Sequence, residues 1–259
     1  MMLTIDAGNT RTKWALFDET ANITWQGVCT NQEIGSAAFL PANTICTRAS
    51  VANVAGAAHA DLLQNRLNQL SISEVNWVKA TPRACGVINS YAQPETLGID
   101  RWAALVGAWY MAQGVCVVVN AGTAVTIDAL GVERENNQDM GLFKGGIILP
   151  GLQLMHQALG TATAQLPDLS ATAFEPIQHD IFAKSTAEAI HSGVLHAISG
   201  AITLMSHSLN GLYKTRPKVI LSGGNANIIK ENLIADVTRQ THIVDNLVLH
   251  GLHLLSTNA

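Results

Sequence analysis

The stretch Thr4-Ile5-Asp6-Ala7-Gly8-Asn9-Thr10 is echoed by Val118-Val119-Asn120-Ala121-Gly122-Thr123-Ala124 at a constant offset of 114. Each copy ends an apolar, β-branched run and opens onto another, the pattern left when a strand–turn–strand unit is duplicated. Over seven residues an ordinary Ala-Gly hairpin would look the same. The offset adds weight because it divides the chain into lobes of ordinary domain size, residues 1–114 and 115–259.

Periodicity fills in both halves. Leu3 to Ile5, Thr12 to Phe17 and Ile23 to Val28 are short β-rich runs between turn residues, an antiparallel meander. A strand is expected at Thr44 to Ser50, a helix at Ala57 to Leu70, a strand at Val75 to Val78 and a helix at Arg101 to Gln113. The second cycle starts with Val115 to Val119 and Val125 to Leu130 as strands. Helices follow at Leu152 to Leu159, Ser185 to Leu209 and Asn227 to Ala235, with a strand at Val219 to Ser222 and a closing helix near Asn246 to Leu255. Meanders followed by helices, twice over, indicate two α/β lobes.

Composition limits the partners. With 48% apolar and 13% charged residues the chain should bury a substantial core. Its 15 Lys and Arg against 19 Asp and Glu leave no basic excess for a phosphate backbone, so nucleic acid is not expected. Cys29, Cys46, Cys85 and Cys116 form no C-x-x-C pair, which argues against a zinc site or a redox dithiol. The amino terminus lacks a signal-peptide pattern, and no apolar run reaches the ~20 residues of a membrane helix. A cytoplasmic protein with a small-molecule ligand and no membrane partner is the expectation.

Four segments could carry chemistry. In Asp6-Ala7-Gly8-Asn9-Thr10-Arg11-Thr12-Lys13 a glycine-tipped turn lets backbone N–H groups approach an anion, and Lys13 can sit against phosphate oxygens. Asp6 suits hydrated Mg²⁺, held through water. The same residues would also make a plain polar hairpin turn. In Tyr91 to Trp102, Asp100 could take a proton from a hydroxyl and Arg101 could bind an anion, or Asp100 could simply cap the next helix. Lys144-Gly145-Gly146-Ile147-Ile148-Leu149-Pro150-Gly151, ahead of a helix, is suited to close approach of a ligand or of another lobe, and Ser222-Gly223-Gly224-Asn225 to a nucleotide at helix N–H groups, or each to a plain turn. His250 and His253 are helix neighbours, but no carboxylate completes a metal set.

Taken in order, Asp6-x-Gly8-Asn9-Thr10-x-x-Lys13, Gly98-Ile99-Asp100-Arg101, Ala121-Gly122-Thr123-Ala124-x-Thr126-x-Asp128, Gly145-Gly146-x-Ile148-x-Pro150-Gly151 and Ser185-Thr186-x-x-Ala189-Ile190-x-Ser192-Gly193 resemble the type III pantothenate kinases. Each motif alone is weak; five in register are specific. The resemblance implies the actin-like, sugar-kinase-like (ribonuclease H-like) α/β fold, with duplicated lobes and nucleotide in the cleft between them. It implies transfer of the ATP γ-phosphate to the primary hydroxyl of pantothenate, giving 4'-phosphopantothenate, the first step towards coenzyme A. Asp6, Ala7, Gly8, Asn9, Thr10, Arg11, Thr12 and Lys13 would form the first phosphate loop, with Thr123 in the second. Asp100 would be the general base, and Tyr91, Gly98, Ile99, Asp100, Arg101 and Thr186 would contact pantothenate. A homodimer, Mg²⁺ and a monovalent cation, K⁺ or NH₄⁺, are implied too. One departure stands out: Asn120 replaces the Asp that the family associates with that cation. Another small-molecule kinase on this fold, or a noncatalytic regulator of the same lineage, are the competing readings, and the intact Asp6, Lys13 and Asp100 speak against the regulator.

Overall fold

The computed structural model describes residues 1–162, 167, 169, 172–175 and 178–257. The chain divides into two compact units, Met1–Met111 together with Leu247 onward, and Ala112–Asn246. The first boundary lies close to the expected one at residue 114. The second was not expected: the closing helix belongs to the first unit.

In the first unit β1 (Met2–Ala7) pairs antiparallel with β2 (Arg11–Phe17), and β2 pairs antiparallel with β3 (Ile23–Thr30). On its other side β1 runs parallel to β4 (Arg48–Asn53), and β4 runs parallel to β5 (Glu74–Trp77), the crossover between them being helix α1 (Ala57–Gln69). The sheet order is therefore β3-β2-β1-β4-β5. Strand β4 starts later than the sequence suggests, at Arg48 rather than Thr44. Leu3, Ile5, Trp14, Leu16 and Val51 pack against Leu63 and Leu67 of α1 and against Phe39, forming one core. A small hairpin of β6 (Arg83–Ala84) and β7 (Val87–Asn89) precedes helix α2 (Ile99–Ala112).

The second unit repeats these pairings. Strands β8 (Cys116–Ala121), β9 (Ala124–Glu135) and β10 (Gln138–Pro150) form an antiparallel meander, and helices α3 (Leu152–Ala162) and α4 (Thr186–Tyr213) follow it. Strand β11 (Lys218–Ser222) lies parallel to β8, and after α5 (Ala226–Glu231) and α6 (Ala235–Thr238) strand β12 (Thr241–Ile243) lies parallel to β11. The order β12-β11-β8-β9-β10 mirrors that of the first sheet strand for strand. The duplication seen in seven residues thus extends to topology. The offset is not constant, however. Asp6 faces Lys13 and Asn120 faces Thr126, so it is 114 on the first strand and 113 on the second. The first turn, Gly8-Asn9-Thr10, is one residue longer than the second, Gly122-Thr123.

Strand β10 overturns one expectation. Gly145-Gly146 is not a turn ahead of a helix but lies within the strand, where the register slips between Phe143 and Gly145 and Gly145 takes a φ of 119°. The single helix expected at Asn227 to Ala235 is broken into α5 and α6.

Helix α4 is, by length and composition, apolar enough to cross a membrane, although no such run was evident from the sequence. Its apolar stripe is occupied by the unit's own sheet: Val194, Leu195, Ile198, Ile202 and Leu209 share a core with Val117, Val119, Val125, Ile127, Val219 and Leu221. Helix α7 (Leu247–Thr257) packs on β1, β2 and β4. It meets α2 so closely that a Cβ on Gly251 would fall within 1.8 Å of the Ala103 carbonyl oxygen, and one on Gly107 within 2.9 Å of that of Leu247.

Candidate active site

Asp6 is the last residue but one of β1, a strand buried on both faces, and keeps only partial exposure. So much protein surrounds its carboxyl that desolvation pushes its pKa up to about 7; the charge of Asp100 adds to the rise, and Lys13, opposite on β2, opposes it. Asp100 and Lys13 therefore both lie within electrostatic reach of Asp6 in one unit. A carboxylate held in this state gains from any cation placed against it.

The turn after Asp6 is tight. Gly8 N–H donates to the Arg11 carbonyl at 3.1 Å, and a Cβ on Gly8 would lie 3.1 Å from that same oxygen. Asn9, Thr10 and Arg11 are exposed, Ala7 is buried and Lys13 is half-buried. Thr12, one of the residues expected to form the phosphate loop, has a fully buried side chain. Its Oγ1 donates to Asn31 Oδ1 at 3.1 Å and lies 3.0 Å from His59 Nε2. Asn31 and His59 escaped the sequence reading, since no local pattern joins positions so far apart in the chain.

Asp100 sits in the first turn of α2, not at its cap: the Trp102 N–H donates to the Gly98 carbonyl at 2.9 Å, which makes Gly98 the capping residue. The helix dipole there favours a carboxylate. Gly98 is constrained by that carboxylate, because a Cβ would stand 2.7 Å from Asp100 Oδ1. Ile99 is buried and anchors the turn. The loop before it is held by Asn89, whose amide donates to the Pro94 carbonyl and accepts from the Tyr91 N–H. Arg101 is 6% exposed and donates from Nη1 to the Tyr91 hydroxyl at 3.0 Å, placing a buried cation beside the loop.

In the second unit Asn120 occupies the place that Asp6 holds in the first, facing Thr126 on β9 and Ser222 on β11. Two glycine motifs converge on the turn that follows. Gly151 donates to the Thr123 carbonyl at 2.9 Å, and a Cβ on it would come within 2.3 Å of the Gly122 carbonyl oxygen. Gly223, at a φ of 102°, would strike the backbone of Ala121 if it carried a Cβ. These glycines thus shape the second turn. Thr123 is exposed, and Thr186 is exposed in the first turn of α4, whose cap Ser185 accepts from the Glu188 N–H.

Among the described residues no group of three His, Cys, Asp or Glu side chains could hold a metal. His250 and His253 instead pack on Phe17, His253 stacking at 4.4 Å between ring centroids. A depression of about 410 Å³ beside Arg48, Glu74 and Ser256 lies at the opposite end of β1 from Asp6 and takes in none of these residues.

The motif spacing and this geometry have a match in sequence. The family model for type III pantothenate kinase fits residues 2–208. The chain belongs to the type III pantothenate kinase family. A Methylobacillus flagellatus protein named type III pantothenate kinase is 41% identical over 254 residues, covering 97% of this chain and 96% of the relative. Two solved structures that resemble this type III pantothenate kinase are distant in sequence and speak to fold alone. One, from Campylobacter jejuni and described as a Baf family transcriptional activator, has a TM-score of 0.59 at 20% identity, covering 97% of this chain and 95% of that one. Another, a Sinorhizobium meliloti protein described as a 2-dehydro-3-deoxygalactonokinase, has a TM-score of 0.53 at 12% identity over 99% and 98% of the two chains. The α/β fold is that of the actin-like and sugar-kinase ATPases.

Proposed function

We propose that this pantothenate kinase moves the γ-phosphoryl group of ATP to the primary hydroxyl of pantothenate, with Asp100 as the base and the Asp6 to Lys13 turn as the first phosphate cradle. The observation that carries this reading is the pair of carboxylates, Asp6 and Asp100, coupled in one unit with Lys13 facing the first of them. Phosphoryl transfer needs reactants held in line and charge neutralised on the transferring group, and little else from the protein.

An alcohol does not ionise in advance, so its proton must leave as the new P–O bond forms. Asp100, at a helix N-terminus, is suited to receive it. Arg101, turned to the Tyr91 hydroxyl, gives the loop a fixed positive charge that fits the carboxylate of pantothenate. Gly98 and Ile99 shape the same turn, and Thr186 is assigned to the same substrate. Lys13 sits against the terminal phosphates, while the turn from Ala7 through Asn9, Thr10 and Arg11 offers backbone N–H groups and side-chain donors. Thr123 supplies the second phosphate turn. Thr12 acts through the shape of the turn, its hydroxyl being spent on Asn31.

The reaction calls for a divalent metal, and the donor set fits Mg²⁺, which is bound through one or two carboxylates with phosphates and water completing the shell. Asp6 would hold it through water; the raised pKa of its carboxyl reflects how little the protein itself compensates that charge. When bound, Mg²⁺ neutralises charge on the phosphates. Asn120 would face the monovalent cation, K⁺ or NH₄⁺, with a carboxamide oxygen but no charge, which weakens the attraction. A homodimer fits the exposed apolar side chains Ile147, Ile148, Ile181 and Phe182 of the second unit. Four free cysteines suit a reducing cytoplasm.

Asp100→Asn tests the core of the reading. Nucleotide binding should persist while pantothenate phosphorylation falls by at least ~10²-fold, the scale of a lost general base; a variant of near-normal turnover would remove Asp100 from the chemistry.

A further inference from the structure

The first phosphate turn is longer by one residue than its counterpart, and the extra carbonyl and extra freedom have to be restrained by something. We propose that Asn31 and His59 are positioning residues that clamp this turn in its nucleotide-ready shape. The inference rests on reading the Asp6 to Lys13 turn as the phosphate cradle.

Asn31 binds the turn at four points. Its Nδ2 donates to the Gly8 carbonyl at 2.9 Å and to the Asn9 carbonyl at 3.0 Å, its Oδ1 accepts from Thr12 Oγ1 at 3.1 Å, and its own N–H donates to the Thr10 carbonyl at 3.3 Å. The amide can be oriented in only one way, because two carbonyl oxygens can only accept. Both ends of the side chain are thus committed to the turn. With the hydroxyl proton of Thr12 given to Asn31, His59 must donate to Thr12 from Nε2. Burial lowers the pKa of His59, so the form that does so is the neutral imidazole with its proton on Nε2.

The clamp stands on firm ground at each end. Asn31 opens a 3₁₀ turn, Asn31–Ser36, whose start is fixed by a reciprocal box in which Glu33 accepts from the Thr30 N–H at 2.9 Å and from its hydroxyl at 2.8 Å. His59 is buried in the first turn of α1. In the second unit the shorter turn is backed by the Gly151 N–H on the Thr123 carbonyl and by the glycine at 223. The two units therefore solve the same problem differently, one with side chains and one with close-packed backbone. With the carbonyls of Gly8, Asn9 and Thr10 all turned to Asn31 and the Gly8 N–H bonded to the Arg11 carbonyl, the backbone of this turn is held in one shape.

The test is steady-state kinetics of the full-length enzyme with Mg²⁺, varying each substrate. Losing three side-chain bonds to the turn, each up to a roughly fivefold factor, Asn31→Ala should raise KM for ATP by about tenfold to a hundredfold while KM for pantothenate and the melting temperature stay near wild type. His59→Leu should act in the same direction. His59→Gln, which keeps an N–H within reach of Thr12, should recover most of that loss. The proposal is overturned if Asn31→Ala leaves KM for ATP unchanged, or if it changes both KM values alike with a lowered melting temperature, as a merely structural role would. Lys13→Ala separates the two layers of the argument. If Lys13→Ala weakens ATP binding and Asn31→Ala does not, the clamp alone is wrong. Unaltered ATP binding in Lys13→Ala would show that the phosphate-cradle reading itself fails.

Discussion

Replacing Asp6 by Asn should make the metal-free protein more stable while destroying its activity. The pKa of Asp6 moves from 3.8 to about 7, chiefly through desolvation. At about 1.36 kcal/mol for each tenfold change in proton affinity, that displacement sets a ceiling of about 4 kcal/mol on the cost of keeping this carboxylate ionised in the fold. Partial solvent contact reduces it, so about 2–4 kcal/mol is expected. The sign follows from which state holds the proton. Below pH 3.8 the carboxyl is neutral whether folded or unfolded, and no cost arises. Between pH 3.8 and about 7 the unfolded chain gives up its proton while the folded one keeps it, so wild-type stability falls as pH rises. Above about pH 7 the cost is constant. The Asp6→Asn variant carries none of it. Urea denaturation with the metal chelated, at pH 5, 6, 7 and 8, should show the gap between the variant and wild type widening up to about pH 7 and then levelling. A gap independent of pH, or a variant less stable than wild type at about pH 8, would refute the reasoning.

Binding of the metal–nucleotide complex should release a proton near pH 7, because a cation beside Asp6 lowers its pKa; calorimetry in buffers of different ionisation enthalpy reads this directly. Gly98→Ala should lower kcat by roughly tenfold or more with little effect on ATP affinity, since its Cβ would displace Asp100 Oδ1 from a 2.7 Å approach. Gly223→Ala combines a positive φ with a backbone collision, so the second unit should lose about 2–4 kcal/mol, visible as a lowered melting temperature. Turnover across a KCl series should respond weakly in the wild type and more strongly in Asn120→Asp, which restores the charge; strong activation of the wild type at low millimolar K⁺ would contradict this.

What the sequence disclosed and what it hid divide along the range of the interactions. Strands β1, β2 and β8 announce themselves as short β-branched runs, and the turns after β1 and β8 are marked by their glycines, so both halves of the duplication were legible. Asp6, Lys13 and Asp100 were legible for the same reason, each lying in a motif a few residues long. Strand β10 was hidden because two glycines and a proline dominate its end, and only its pairing with β9 shows that Gly145-Gly146 belongs to a bulged ladder. The burial of Thr12 was hidden as well. Its partners lie 19 and 47 residues away, and nothing near Asn31 or His59 marks them as companions of a turn that precedes them. The role of Gly151 and Gly223 was half seen: close approach of a ligand or a plain turn were both open, and the sequence could not show that the neighbour each approaches is the backbone of the turn after β8.

The position of α7 has a consequence for how the molecule is made. The second unit is one uninterrupted stretch and can close its sheet as soon as β12 leaves the ribosome. The first unit cannot, because the helix that covers β1 and β4 is synthesised only after the whole of the second unit. Until then the strand carrying Asp6 waits half-covered, and a truncation before Leu247 would leave the phosphate turn attached to an unfinished domain.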